Sequence, residues 1–408
     1  MHWIKQPIRL LSLLLITSQL LYAAPFLPKS DQQILEKLPS DSPPARYLNS
    51  DSFSSGASTL SPEQTSKLLE RAYLQGDPRA LGQARAQLDQ TTDQSVETLM
   101  LRARALQSDH KFSQAKELLE QILSKDATNP DALLTLSSLL VVQGQFEAAM
   151  SHCKKLNDGS LRVYQLACVA QIQSMSGELT QAKQTLSELA SIASGLDAST
   201  ARWIYLMQAD AALRSQDDSL ATQVFSVMDD QTVPALMARA DWLLKHGDYQ
   251  KTRVLLQDHT DKDALLLKLI TAQIKLRDPD AQKNLALMKE RIEVWRIRKE
   301  NAHMREQATY ALLANKTDSA LQLARENWQQ QRETADILIY ATAAIKASSQ
   351  KDIKLIRQFM TDTQFEYPAL ERDLRLGKIS GSSAQALNSQ TLSSQALSPQ
   401  NPSKETPS

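Results

Sequence analysis

The sequence of 408 residues has no surplus of charge, because 46 basic residues balance 46 acidic ones. Proteins that attract nucleic acid or an anionic membrane electrostatically carry an excess of Lys and Arg, so this balance argues against nucleic-acid binding. The chain also lacks a Gly-rich phosphate loop after a strand, a nucleophile elbow and a metalloprotease motif. We therefore predict a protein that is not an enzyme, with no catalytic residues, no cofactor and no metal site.

Gly and aromatic residues are also scarce, with 10 Gly in the chain and 5% aromatics, whereas one short pattern recurs. Residues 111–115 (KFSQA) return as residues 145–149 (QFEAA) and again as residues 178–182 (ELTQA), at spacings of 34 and 33. A large apolar residue three positions before a small one, repeated near every 34 residues, is typical of stacked helical hairpins. The repeats predict an all-α solenoid that holds another molecule.

Small residues align the repeats over the predicted solenoid, residues 61–376. The second-helix position is occupied by Ala80, Ala115, Ala149, Ala182, Ala221, Thr252, Ala281, Ala320 and Ile353. The first-helix position, twelve residues earlier, is occupied by Leu68, Ala103, Ser137, Ala170, Ala209, Ala240, Leu269, Ala308 and Ala341. Small side chains at both positions let two helices approach closely. The alignment predicts about nine hairpins, with a register that becomes irregular after residue 190.

Turn residues fix the hairpin boundaries. Gly144, Gly177 and Gly247 are predicted to end the first helix of a hairpin, while residues 315–318 and 348–351 must form turns without Gly. Residues 281–313 fit either two helices or one long helix kinked near residue 301. Pro368 is predicted to start a short polar helix that caps the array.

The two ends of the chain have a different composition. Lys5 and Arg9 precede a short apolar run, and residues 21–23 fit a small-residue cleavage site, so residues 1–23 read as a signal peptide. An uncleaved membrane anchor is the alternative. Residues 24–60 are predicted to be a linker, and residues 377–408, rich in Ser, Gln and Pro, a disordered tail. We expect a periplasmic protein.

Export affects how the two cysteines are interpreted. Cys153 and Cys168 lie on consecutive predicted helices and would occupy an oxidising compartment, where a disulfide persists. A bridge requires the turn to absorb an offset of about four residues. The sequence favours a disulfide and leaves two buried thiols as the alternative.

Residues 61–362 resemble the tetratricopeptide repeat (TPR) family. The best repeat carries that family's pattern at Leu133, Leu136, Ser137, Leu140, Gly144, Phe146 and Ala149. The resemblance implies a right-handed α-solenoid of TPR-like hairpins that binds or assembles other proteins. More narrowly, residues 76–79, 303–306 and 326–328 are similar to stretches of an exported proteobacterial TPR group of unassigned activity, encoded near metal-transport membrane proteins.

Such solenoids bind along the concave face formed by their first helices. Projected by spacing, this face carries Met100, Arg104, Leu134, Ser138, Val142, Tyr164, Gln171, Trp203, Leu206, Asp210, Met237 and Asp241. It is apolar and low in charge, which favours an extended peptide or an amphipathic helix as ligand. The alternative is that these side chains pack against neighbouring repeats.

The leading hypothesis is therefore a scaffold that binds a protein or peptide partner in the cell envelope and assists assembly or transport. A membrane-protein partner and any oligomeric state are left open. The alternative is a metal- or cofactor-handling accessory protein of an envelope transport system, using His303, Glu300 or the cysteines. Glu300 and His303 share one helical face, but a solvated charged face explains them as well.

Overall fold

The structure is a computed structural model that describes residues 60–228, 231–298 and 303–378. The predicted signal peptide, the predicted linker up to residue 59 and the predicted tail from residue 379 lie outside the described residues. Within these ranges the chain forms helices and no strand. None of the described helices is long and apolar enough to cross a membrane.

Eighteen of the described helices form nine hairpins, and a nineteenth closes the array. The first helices are α1 (Pro62–Gln75), α3 (Val96–Ser108), α5 (Pro130–Val142), α7 (Arg162–Met175), α9 (Ala198–Ser215), α11 (Val233–Lys245), α13 (Asp263–Leu276), α15 (Met304–Leu313) and α17 (Thr334–Lys346). The second helices are α2 (Pro78–Gln90), α4 (Phe112–Lys125), α6 (Phe146–Lys154), α8 (Leu179–Ser191), α10 (Asp218–Val227), α12 (Tyr249–Leu256), α14 (Asp280–Arg298), α16 (Thr317–Trp328) and α18 (Gln350–Thr363). Helix α19 (Pro368–Leu376) follows. The predicted all-α solenoid of about nine hairpins is confirmed.

Helix contacts show a single row of hairpins. The two helices of each hairpin pack on each other, and each first helix also contacts the first helix of the next hairpin. The small residues used for the alignment lie at the centre of this packing: Ala115, Ala149 and Ala182 have no exposed surface, nor do Ala103, Ala170 and Ala209. A larger side chain at these positions would separate the helices.

Every hairpin turn contains one residue in the left-handed conformation. These residues are Gly76, His110, Gly144, Gly177, Gln216, Gly247, Arg277, Asn315 and Ser348, with φ between 53° and 86°. At eight of these nine turns, all but that of Gly76, backbone N–H groups bond back to the last carbonyls of the first helix, as when the N–H of Gln145 donates to Leu140 O at 2.8 Å. Only four of the nine are Gly, so the later turns carried no strong sequence marker.

The array folds back on itself, which the sequence analysis did not predict. The backbone N–H of Arg332, before α17, donates to Val142 O at the end of α5, at 2.7 Å. The ring centroids of Phe146 and Phe359 lie 6.5 Å apart. In α17 every residue except Lys346 is buried. A helix buried on all sides belongs to a core, so the last hairpins pack inside the curve of the earlier ones.

The glycine at residue 144 allows this close approach. A Cβ added to Gly144, whose φ is +71°, would lie 3.0 Å from the Phe359 ring. The N-terminal end of the array makes a similar contact, because a Cβ on Gly76 would meet Val233 and Lys262 at 3.3 Å, and α1 packs on α11. The two ends of the row are thus both fixed by long-range packing.

We expect Gly144→Ala to lower the free energy of unfolding by about 2 kcal/mol, because it combines left-handed strain with overpacking against Phe359. Gly377→Ala is the matched control, since Gly377 has φ +58° and open space around its Cβ position; it should cost about 1 kcal/mol. Gly82→Ala, within α2 and with open space, should stabilise by up to about 1 kcal/mol. Denaturant titrations followed by circular dichroism measure all three, and equal losses for the first two would contradict the close contact.

Candidate partner-binding face

The residues predicted to bind a partner all lie on first helices, but the face they form is not open. Nine of them have at most 8% of their surface exposed: Met100, Arg104, Leu134, Val142, Gln171, Trp203, Leu206, Met237 and Asp241. Ser138, Tyr164 and Asp210 are half-buried. The expected open groove is therefore corrected, although the partner-binding role of these residues stays a prediction.

The C-terminal hairpins and α19 cover this face. Met100, Leu134, Val142 and Trp203 belong to one apolar cluster with residues from the other end of the chain, including Ile337, Ile339, Tyr340, Phe365, Tyr367 and Leu370. An inner face this apolar would be unfavourable in water, and burial of apolar surface contributes roughly 25 cal/mol per Å². This face is therefore covered by later helices of the same chain.

Residues 364–368 comprise the connection between α18 and α19 and the first residue of α19, and they are called the inserted segment. It begins with Gln364 in the left-handed conformation, and Tyr367 is extended. Phe365 and Tyr367 are 2% and 3% exposed, whereas Gln364 and Pro368 at its ends are exposed. The segment thus buries two aromatic rings while its ends stay at the surface.

Two backbone features of the α7–α8 turn receive the inserted segment. Gly177 leaves room for Gln364, because a Cβ there would lie 2.9 Å from the Gln364 Cβ. The backbone N–H of Leu179, in the first turn of α8, donates to Glu366 Oε1 at 3.2 Å. Helix α8 has no side-chain N-cap of its own, so the Glu366 carboxylate satisfies one of its free N–H groups and complements the helix dipole.

Arg214 lies beneath the Phe365 ring and has no exposed surface. Its Cζ is 5.6 Å from the centroid of that ring, a cation–π contact. Its Nε donates to Asp210 Oδ2 at 2.8 Å, and its Nη1 donates to Ser174 O. Its Nη2 has no hydrogen-bond partner among the described residues. One buried guanidinium therefore joins α7, α9 and the inserted segment.

The predicted carboxylates of the face also have partners within the chain. The Lys268 ammonium donates to Asp241 in a buried ion pair, and burial lowers the pKa of that lysine. Burial raises the pKa of the Tyr367 hydroxyl, and the nearby carboxylates of Asp210 and Asp241 raise it further. Tyr367 is therefore neutral at physiological pH, and a neutral hydroxyl needs no buried counter-charge.

A second polar cluster joins the turn of the second hairpin to the last two hairpins. The buried Arg305 guanidinium forms a two-point ion pair with Asp336, with both N···O distances 2.7 Å. It also donates to Glu333 at 2.6 Å and to Gln331 Oε1 at 2.9 Å. Because Gln331 Oε1 accepts this last bond, the Nε2 atom of the same amide is oriented to donate to His110 Nδ1, at 2.7 Å. The His110 ring must be neutral to accept this bond. The contact between His110 and Gln331, which joins the second hairpin to the last two hairpins, is called the closing contact.

Two stretches identified by sequence similarity contribute residues to the contacts that join the ends of the array. Residues 303–306 and 326–328 were singled out for their similarity to an exported TPR group. The structure places Arg305 and Asn327 in the same cluster, where Asn327 Nδ2 donates to Asp336 Oδ1 at 2.7 Å. Trp328 packs edge-on against Phe359, with centroids 5.0 Å apart. These stretches fix the closing of the array.

Comparison with known proteins agrees with the hairpin architecture. Residues 106–159, from the end of α3 to beyond α6, match the tetratricopeptide repeat family model. This part of the chain therefore carries tetratricopeptide repeats. A solved tetratricopeptide repeat protein from Parabacteroides merdae ATCC 43184 matches over 70% of this chain and 99% of its own, at 15% identity and a TM-score of 0.30, a similarity too low to support an argument. Among curated proteins, none matches this chain.

A small gap remains between the first and fifth hairpins. Its lining comes from α1 and α9: Glu70, Tyr73, Leu74, Ser199, Arg202, Trp203 and Leu206. The cavity volume is about 10 Å³, which is room for about one water molecule. The gap is therefore no pocket for a small-molecule ligand.

The predicted disulfide is present between Cys153 of α6 and Cys168 of α7, with Cα atoms 5.7 Å apart. The intervening turn is asymmetric, because a short 3₁₀ helix (Gly159–Leu161) precedes α7, and this absorbs the expected offset. Both cysteines are buried, and the Ser137 hydroxyl lies 3.0 Å from the Cys153 sulfur. The bridge fixes consecutive TPR hairpins beneath the covered face.

The described residues proposed for metal handling, His303 and the two cysteines, have other partners. The two sulfurs are bonded to each other and are not available as thiolate ligands. The His303 ring stacks on Trp295, with centroids 4.1 Å apart, and Glu300 lies outside the described residues. Within the described part of the chain, no three His, Cys, Asp or Glu side chains form a group that could hold a metal ion.

We expect the closing contact to weaken in mild acid. Burial lowers the pKa of His110 from 6.5 to about 4, and nearby Glu306 only partly opposes this. Between pH 6.5 and about pH 4, His110 binds a proton in the unfolded chain but not in the folded chain. The free energy of unfolding therefore falls as the pH falls through this range. The loss from pH 7 to pH 5 should be on the order of 1 kcal/mol for this partly exposed ring.

The variant His110→Asn isolates this effect, because Asn tolerates the left-handed conformation of residue 110 (φ 57°) and does not titrate. Denaturant unfolding of both proteins at pH 7 and pH 5 gives the difference in pH dependence. Identical pH dependence in the two proteins would show that His110 is not held neutral at this contact.

Proposed function

We propose that this TPR protein is a non-catalytic, exported scaffold that binds a protein or peptide partner in the cell envelope and assists assembly or transport there. TPR repeats generally mediate protein–protein interactions, and the fold is typically non-catalytic. The proposal adds the compartment and the binding face to that general role.

The observation that carries the binding role is the chemistry of the inner face. This face holds a segment of polypeptide with two buried aromatic rings, a carboxylate bonded to a helix N-terminus and a cation–π contact. These are the interactions by which protein surfaces recognise peptides. The half-buried Tyr164, Ser138 and Asp210 leave part of the same face accessible at its edge.

The cysteines support export. A buried disulfide between hairpins persists in an oxidising compartment and is rare in the cytosol, where thiols are kept reduced. The apolar run after Lys5 and Arg9 supplies the signal that such a location requires.

Export predicts a defined mature protein. We expect protein purified from the envelope fraction of the native host to begin at Ala24, because the small residues before it form the cleavage site. Both cysteines should resist alkylation until a reductant is added under denaturing conditions. N-terminal sequencing and mass spectrometry of alkylated protein measure these two properties; an intact Met1 together with free thiols would contradict export.

Partner binding is tested by affinity capture from envelope extracts with the tagged full-length chain, combined with crosslinking in living cells. We expect a partner to be recovered by the wild type and at least fivefold less by Tyr164→Ala, because Tyr164 lies at the accessible edge of the face. Val254→Ser is the matched control, since Val254 is 56% exposed on α12. Equal recovery by all three proteins would place the binding site elsewhere, and recovery of no protein by either method would contradict the scaffold role.

A further inference from the structure

We propose that the site around the inserted segment is a recognition site for an extended aromatic–acidic–aromatic stretch of a partner protein, and that residues 364–368 occupy it in the unbound chain. The proposal rests on the scaffold function above and specifies its ligand. The occupant inside the structure defines the chemistry that a partner must match.

The receiving side of the site is built from groups that select such a stretch. Gly177 permits close backbone approach, the Leu179 N–H binds a carboxylate, and the Arg214 guanidinium contacts an aromatic face. Arg214 is fully buried, and its Nη2 has no hydrogen-bond partner among the described residues. A partner with a polar atom near this nitrogen would gain a bond that the inserted segment does not make.

The occupant is placed so that it can be exchanged. The inserted segment leads directly into the nine-residue helix α19. Its two ends, Gln364 and Pro368, are exposed, and Glu366 makes a single bond to the Leu179 N–H, at 3.2 Å. Release of this segment leaves the small-residue contacts within all nine hairpins intact, because those contacts lie between first and second helices.

The partner is therefore a protein with an exposed Phe-Glu-Tyr-like stretch and few basic residues beside it. A basic side chain in place of the acidic one would face the positive end of α8, which disfavours it. A purely apolar peptide would leave the Leu179 N–H without its acceptor.

The test uses a fluorescently labelled peptide with the sequence of residues 362–374 and the full-length chain, measured by fluorescence anisotropy. The wild type should bind it weakly, because its own segment occupies the site. Phe365→Ala, which weakens the internal occupant, should bind it at least tenfold more tightly, since apparent affinity rises with the fraction of open sites. Leu376→Ala is the control, because Leu376 is 64% exposed; it should bind as the wild type does.

Two altered peptides establish specificity. Replacing the Phe and Tyr of the peptide by Ala should abolish binding to the Phe365→Ala protein. Replacing the peptide residue that corresponds to Glu366 by Gln should weaken that binding severalfold. Glu366→Ala serves as a milder second variant of the protein, and circular dichroism checks that each variant is folded. A folded Phe365→Ala or Glu366→Ala protein that binds the peptide no more tightly than the wild type overturns the inference.

Competition separates this inference from the proposed function. Excess unlabelled peptide should release a captured envelope partner from the wild-type protein. A partner that is captured but not released by the peptide supports the scaffold role and refutes this site. The anisotropy result stands independently of whether any partner is captured.

Discussion

The packing of the last two hairpins and α19 against the inner face of the earlier hairpins is the constraint on which the rest of the structure depends. Helices α5 and α17 are apolar on nearly all sides and meet in one cluster. In an open solenoid their inner sides would face water. Folding the row back on itself removes that apolar surface, so a repeat architecture with mainly nearest-neighbour contacts acquires a shared core.

Buried polar clusters fix how the two ends meet. Arg305 is paired with Asp336 and Glu333, and Arg214 with Asp210, so each buried cation has an anionic partner. Apolar packing alone is tolerant of small shifts along the face, whereas a two-point guanidinium–carboxylate pair has one geometry. Breaking such a pair leaves an uncompensated buried charge, which typically costs about 3–5 kcal/mol. The clusters therefore specify the closed arrangement that the apolar surface drives.

Because the C-terminal hairpins and α19 cover the inner face, this face is not an open groove. The residues expected to hold a partner already hold polypeptide, and the inserted segment shows which chemistry they select. The Glu366 carboxylate at the start of α8 and the Phe365 ring over Arg214 are contacts of the kind found between proteins, here made within one chain. A partner that used this face would have to displace the inserted segment, which would raise the complementarity that it needs.

The sequence by itself determined the hairpins, because their signals are local. Ala115 and Ala149 mark close helix crossings, and Gly144 marks a left-handed turn. The pair Cys153 and Cys168 lies close enough in sequence that a bridge was favoured over two buried thiols. The burial of Trp203 could not be read in the same way, since an apolar stripe at helical spacing fits an open groove and a covered one equally. Contacts such as that between Leu179 and Glu366 span 187 residues, and they depend on curvature summed over many hairpins. Only the tertiary structure decides such contacts, because small rotations at each repeat, set by side-chain packing, add up to an arrangement that no local pattern contains.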